Sequence, residues 1–178
     1  MAWGSLRSTG LFVVALIACG VLSACGNNPA PAAPAPDATR VYTLDPPTHR
    51  NPEGIAWDEA SRTFFVGAYN DGTIYRGGLD DPTVRPFIKG TPGRSAVGLK
   101  VAADRLYVAG GIYGDLRVYD VATKAQVGTF STGQGGFLDD LVVTDTGDVW
   151  VTDSVRPMLW HLTPTKSRPV AASRPHWR

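Results

Sequence analysis

The residues from Pro52 to Arg76 read Pro-Glu-Gly-Ile-Ala-Trp-Asp-Glu-Ala-Ser-Arg-Thr-Phe-Phe-Val-Gly-Ala-Tyr-Asn-Asp-Gly-Thr-Ile-Tyr-Arg. Three short apolar runs lie in this stretch, Ile55 to Trp57, Thr63 to Val66 and Thr73 to Tyr75, with polar turn residues between them. Asn70-Asp71-Gly72 is a hairpin signal, because Asn and Gly tolerate the positive φ that tight turns between strands need. The spacing predicts a three-strand antiparallel meander, a unit too small to bury its own apolar face.

The pattern returns twice. Gly98-Leu99-Lys100-Val101 leads to Arg105-Leu106-Tyr107-Val108-Ala109-Gly110 and then, past Gly114, to Asp115-Leu116-Arg117-Val118-Tyr119. Asp140-Leu141-Val142-Val143 leads to Asp148-Val149-Trp150-Val151-Thr152 and then to Met158-Leu159-Trp160-His161-Leu162. The repeat starts, Gly54, Gly98 and Asp140, are 44 and 42 residues apart. That period, with several strands per unit, is the signature of propeller blades. No run of helical periodicity follows residue 25, so the fold class is all-β: a partial β-propeller of about three four-stranded blades, the last incomplete.

Blade one is expected from Glu53 to Lys89, with Thr83 to Ile88 outermost. Pro86 within that strand suits an edge, where a ladder donor is not needed. Blade two runs from Ala96 to Phe130, with Ala125 to Phe130 outermost, and blade three begins near Gly136. Val41-Tyr42-Thr43-Leu44 is a lone strand with two readings: the outer strand of a last blade that closes a ring, or an edge strand pairing with blade one. Tyr69, Tyr75, Tyr107, Tyr119, Trp150 and Trp160 are expected to pack between blades.

Val41 to Pro164 makes roughly three blades, whereas closed propellers use about 4–8. Three blades leave two open sides with apolar faces and unpaired edges. After Leu162 the expected fourth strand gives way to a basic, non-alternating tail, residues 165–178, expected to be disordered. The chain therefore reads as a truncated or frameshifted product of a longer gene, and further copies could cover its open sides.

Ahead of the propeller lies an address. Arg7 precedes an apolar run from Leu11 to Val21, a secretory signal pattern shorter than the roughly 20 apolar residues of a membrane span. Leu22-Ser23-Ala24-Cys25-Gly26 resembles the lipobox of bacterial lipoproteins, which implies lipid modification of Cys25 and an anchor on the extracytoplasmic side of the cell membrane. Leu16-Ile17-Ala18-Cys19 fits the same loose pattern but is followed by more apolar chain, while Cys25 is followed by Gly-Asn-Asn-Pro. A plain cleaved signal peptide ending near Ala24, or an uncleaved anchor, is the alternative. Residues 26–40 form a Pro/Ala-rich linker that favours extended polyproline II and supplies reach. The domains are thus 1–25, 26–40, a propeller over 41–164, and the tail.

The chain carries 17 Lys+Arg and 16 Asp+Glu. Residues 26–155 hold 11 basic against 16 acidic groups. No basic face marks a nucleic-acid partner.

Glu53-Gly54-Ile55-Ala56-Trp57-Asp58, Leu138-Asp139-Asp140-Leu141-Val142-Val143 and Val151-Thr152-Asp153-Ser154 resemble the gluconolactonase/regucalcin-like family of six-bladed propellers. The resemblance spans about residues 41–163, roughly half of a family propeller. It implies a metal-dependent lactone or ester hydrolase with the metal at one mouth of the central channel. Glu53 takes the place of a family metal ligand, and Asp139 stands where the family usually has Asn, keeping an oxygen but adding charge.

Independently of the family, the residue before each innermost strand lies near a propeller's axis; here these are Glu53, Val97 and Asp139. Two carboxylates at one channel mouth repel unless a cation neutralises them or one holds a proton. A hard cation with oxygen ligands answers that demand, Ca²⁺ first, although such a site takes about 6–8 oxygens. Asp140, Asp153 and Ser154 are the candidate substrate-binding residues. Turn capping or hydrogen bonding within the blade is the competing role for each of them. No Gly-x-Ser-x-Gly elbow is present, His49, His161 and His176 have no partner at ligand spacing, and Gly133-Gln134-Gly135-Gly136 has no following Lys. Two functions remain: a lipid-anchored, metal-dependent hydrolase of a small lactone or ester, and a non-catalytic surface module binding a ligand or protein.

Overall fold

Short runs of alternating hydrophobicity broken by Gly, Asp and Asn can satisfy their backbone groups only by pairing with neighbouring runs. The computed structural model describes residues 40–46 and 51–164, and among them every regular element is a strand. The residues read as signal segment, lipobox, most of the linker and basic tail lie outside the described residues, so the readings made for Cys25 and residues 165–178 do too.

The first sheet holds β1 (Thr43–Leu44), β2 (Pro52–Asp58), β3 (Thr63–Ala68), β4 (Ile74–Gly78) and β5 (Thr83–Ile88), in the order β1-β5-β4-β3-β2. The second is a four-stranded meander of β6 (Leu99–Ala102), β7 (Arg105–Ala109), β8 (Asp115–Asp120) and β9 (Gln126–Ser131). The third holds β10 (Leu138–Val143), β11 (Val149–Asp153) and β12 (Met158–Leu162). These are the three expected blades, the last with three strands.

Of the two readings of the lone first strand, the structure has the second: β1 pairs with β5, in parallel, through Thr43–Thr83 and Leu44–Val84. The expectation that β5 is the edge is corrected by this pairing. Pro86 is still accommodated, because β1 reaches only Thr83 and Val84. In the Asn70-Asp71-Gly72 turn only Gly72 is left-handed, at φ 71°. The two-residue turn from β6 to β7 instead uses Ala103 and Asp104 at φ 46° and 59°. That turn joins a ladder that pairs Ala102 with Arg105, and a two-residue hairpin matches the strands' twist best with positive φ at both central residues.

Each seam between sheets is apolar. Ala56, Phe65, Ile74 and Phe87 of the first sheet pack with Leu99, Leu106, Val108 and Tyr119 of the second. Tyr107, Ala109, Leu116 and Val118 pack with Leu138, Leu141, Val149, Val151 and Leu162 of the third. Backbone bonds tie the seams: Ala96 N–H donates to Ala68 O at 3.0 Å, and Gly111 and Leu138 exchange N–H to O bonds at 3.1 Å. Two arginines add to this. Arg117, buried, donates to Ser95 O and lies 3.2 Å from Asp115 Oδ2. Arg156 donates to Thr132 Oγ1 at 2.9 Å and Thr132 O at 3.2 Å.

The innermost strands approach one another so closely that a side chain has no room at two points. A Cβ on Gly54 meets Val97 O at 1.9 Å, and one on Gly98 meets Asp139 O at 2.2 Å. In both cases the obstacle is backbone, which cannot swing away. Gly54→Ala and Gly98→Ala should each destabilise the fold by about 1–3 kcal/mol through overpacking. Gly78→Ala, where a Cβ meets nothing within 4 Å, is the control and should leave the denaturant midpoint unmoved.

Candidate functional site at the convergent strand ends

Because Gly54 and Gly98 let the inner strands close up, the residues before them are drawn to one place. Glu53-Gly54-Ile55, Val97-Gly98-Leu99 and Asp139-Asp140 line a single concavity of about 370 Å³. Three carboxylates and three apolar side chains therefore share it.

The carboxylates are engaged to different degrees. Glu53 is exposed, and no hydrogen bond ties its carboxylate to another described residue. Asp139 is half-buried, and its Oδ2 accepts from the Ser154 hydroxyl. Asp140 is exposed; its Oδ1 accepts from Leu141 N–H at 2.8 Å and its own N–H donates to Thr152 Oγ1 at 3.0 Å. Val97 offers this rim only an apolar side chain and backbone.

Asp153 does not belong to the rim. Its carboxylate is sealed inside the third sheet, where Oδ1 accepts from the backbone N–H of Phe137 at 3.0 Å, Val155 at 3.2 Å and Arg156 at 2.9 Å. Oδ2 accepts from Arg156 Nε at 2.7 Å and Trp160 Nε1 at 3.3 Å. A carboxylate so filled has no lone pair to turn toward a ligand. The expected substrate-binding role of Asp153 is thus corrected to a structural one: it pins the strand ends that carry Ser154 and Phe137. Ser154 reaches the rim only through Asp139.

Burial pushes the Asp153 carboxyl upward, but the Arg156 and Phe137 backbone donors, with the Arg156 and Trp160 side chains, outweigh it and hold the group well below the usual carboxylate range. Elsewhere Asp148 is lowered by the Thr146 hydroxyl and by His161, whose Nε2 lies 3.0 Å from Asp148 Oδ1. That histidine stacks on Trp150 with ring centroids 3.8 Å apart, on the open face of the third sheet rather than between sheets. Tyr75 also departs from the expected packing, clustering with Phe64, Ala68 and Val84 on the open face of the first sheet.

The rim suits a hard cation in donor type and falls short in number. Among the described residues no group of three or more His, Cys, Asp or Glu gathers closely enough to hold a metal. Sequence reasoning missed two other features. An apolar groove of about 620 Å³ runs over the open face of the first sheet, between Tyr42, Leu44, Ile55, Trp57, Phe64 and Val84. A basic pocket of about 320 Å³ gathers Arg76, Arg85 and Lys124 around Phe87, with Lys124 Nζ 5.0 Å from the Phe87 ring. The alternation on β2 carried a signal for the groove; the cations are too far apart in sequence to signal the pocket.

No family model matches the chain, and no curated protein does. Solved structures do. A protein from Lactobacillus plantarum is similar over 72% of this chain and 40% of its own, with TM-score 0.56 and 17% identity. A chain of the mitotic checkpoint complex is similar over 68% and 41%, with TM-score 0.52 and 17% identity. The β-propeller domain of Swd1 from Myceliophteria thermophila is similar over 65% and 41%, with TM-score 0.50 and 14% identity. This chain has the fold of a partial β-propeller. It spans about 40% of the length of the structures it resembles. At such identities the likeness concerns the fold alone.

The depressed Asp153 carboxyl contributes stability that is present above the ordinary aspartate pKa and lost as pH falls through its folded value. Asp153→Asn should lower stability near neutrality by about 1–3 kcal/mol, because buried donors lose their charged acceptor. It should also flatten the decline in urea midpoint between about pH 5 and pH 2 relative to the parent chain. An unchanged decline would assign the acid sensitivity to other carboxylates.

Proposed function

We propose that this chain is a ligand-binding propeller module held outside the cytoplasm by lipid on Cys25, with the rim of Glu53, Asp139 and Asp140 as its binding site. The observation that carries the reading is the convergence of those carboxylates with Ile55, Val97 and Leu99 in one open concavity. Carboxylates on an exposed rim attract cations, and apolar side chains beside them favour a small organic ligand over a bare ion. A weak divalent cation site, Ca²⁺ first, fits the oxygen donors: Glu53 and Asp139 supply two carboxylates, and water supplies the rest.

A metal-dependent lactone or ester hydrolase, as the gluconolactonase/regucalcin resemblance implies, is the second reading. The specific observation in its favour is that Glu53 and Asp139, the two residues the resemblance marks as ligands, line the same concavity. The chemistry such a divalent cation would supply there is polarisation of a carbonyl and activation of water. The residues of this chain would hold that ion and, through the hydrogen bond from Ser154, orient Asp139 toward it. Beyond those two carboxylates the described rim residues offer Asp140 alone for proton transfer, an exposed group whose Oδ1 already accepts from Leu141 N–H. With two candidate metal ligands and no group of three among the described residues, ligand capture is the function the rim supports better.

Titration of the full chain with Ca²⁺ under thermal unfolding tests the rim. Extracellular calcium modules bind with Kd of about 10⁻⁴–10⁻³ M. Tenfold excess over Kd stabilises by about 1.4 kcal/mol. Glu53→Gln with Asp139→Asn should abolish the rise in Tm, and a rise that survives both changes rejects the site. The anchor is tested separately: Cys25→Ser should move the chain from the membrane to the soluble fraction and remove the acyl mass from its N-terminal peptide. Retention in the membrane without that mass would reject lipidation.

A further inference from the structure

The register of the three sheets allows their positions to be equated. Ile55 pairs with Val66, Leu99 with Val108 and Leu141 with Val151, so Ile55, Leu99 and Leu141 are one position of the repeat. Leu99 and Leu141 are buried against the preceding sheet, at 4% and 3% exposure, while Ile55, with no sheet preceding it among the described residues, is 67% exposed. On the opposite face Ile74 pairs with Gly67, Leu116 with Ala109 and Leu159 with Thr152. Ile74 and Leu116 are buried against the following sheet, at 0% and 1%, while Leu159, with none following among the described residues, is 56% exposed.

Both open ends therefore carry the residues that make the two internal seams. The first sheet presents a leading face with a groove at Ile55 and Trp57. The third presents a trailing face with Val142 and Leu159 exposed. Each is the other's complement, because in both internal seams a trailing face meets a leading one.

We infer that two copies of this chain associate head to tail, the trailing face of each third sheet packing on the leading face of the other copy's first sheet. A head-to-tail contact must either close or run on as a filament. Closed propellers use about 4–8 blades, and the three described sheets give six in two copies and nine in three, so two is the number that closes. The seam between copies differs from the internal ones at one point. Asp140 stands where the internal seams have Gly54 and Gly98, so a side chain occupies the place where a backbone carbonyl approaches closely. The inner edge of that seam is held wider, which makes it weaker than the internal seams and leaves the rim carboxylates wet. The inference is independent of any metal at the rim.

Sedimentation equilibrium of the full chain in a density-matched mild detergent, at micromolar concentration and without added metal, tests it. The expected mass is that of two chains; a monomer or an open-ended series overturns it. Ile55→Glu and Leu159→Lys should each give monomers with unchanged far-ultraviolet circular dichroism. Mixing the two variants should restore the two-chain mass, because such a pair keeps one seam unaltered. A mixture that stays monomeric, or single variants that still pair, overturns the head-to-tail arrangement. Asp140→Gly should lower the dissociation constant, and a raised one counts against the seam.

Discussion

Each sheet of this protein is apolar on both faces, and with strands the only regular elements among the described residues, what covers one sheet is another. Alternation along a strand normally gives one dry face and one wet one, yet Ile55 and Ala56, or Leu106 and Tyr107, are neighbours that point to opposite faces and are both apolar. Stacking follows, and with it the close approach of the inner strands at Gly54 and Gly98 that brings Glu53, Val97 and Asp139 to one rim. Burying a side chain of the size of Ile or Leu is worth about 1.5–3 kcal/mol. Ile55, Trp57, Val142 and Leu159, all left in water at the two ends, thus represent a driving force comparable with a small domain's whole stability.

Polar groups caught in the stacking are spent on structure. Asp153 takes donors from Phe137, Val155, Arg156 and Trp160, and Arg156 carries the tie across to Thr132. Arg117 does similar work at the other seam, reaching Ser95 O from a fully buried position. A buried charge is tolerable only when so partnered, and the same partners deny it to a ligand. The carboxylates that stacking leaves at the rim are the ones open to solvent and to a ligand.

Much of the fold was legible in the residues. The repeat starts at Gly54, Gly98 and Asp140 predict the three inner strands, and β2, β6 and β10 begin within two residues of them. The gathering of Glu53 and Asp139 was legible as well, since it depends only on position within the repeat. The Ala103-Asp104 turn was not, because neither residue advertises positive φ and the strands' twist imposed it. Nor was the partner of Thr43–Leu44, because two residues carry too little pattern to choose between a distant sheet and a near one. Asp153 was misjudged for a related reason: its five donors come from Phe137, from the turn after β11 and from Trp160 on β12, and only the closed sheet assembles them.

Taken alone, the sequence determined the strands, their period and the kind of side chain at each repeat position, because these follow from local alternation and turn chemistry. Which acid stays at the rim and which is sealed within a sheet was decided by the tertiary structure. So was which of three equivalent leucine-like positions lies dry. Burial is a property of what packs against a residue, and the identical repeat position is dry at Leu99 and wet at Ile55 because, among the described residues, one has a sheet in front of it and the other has none.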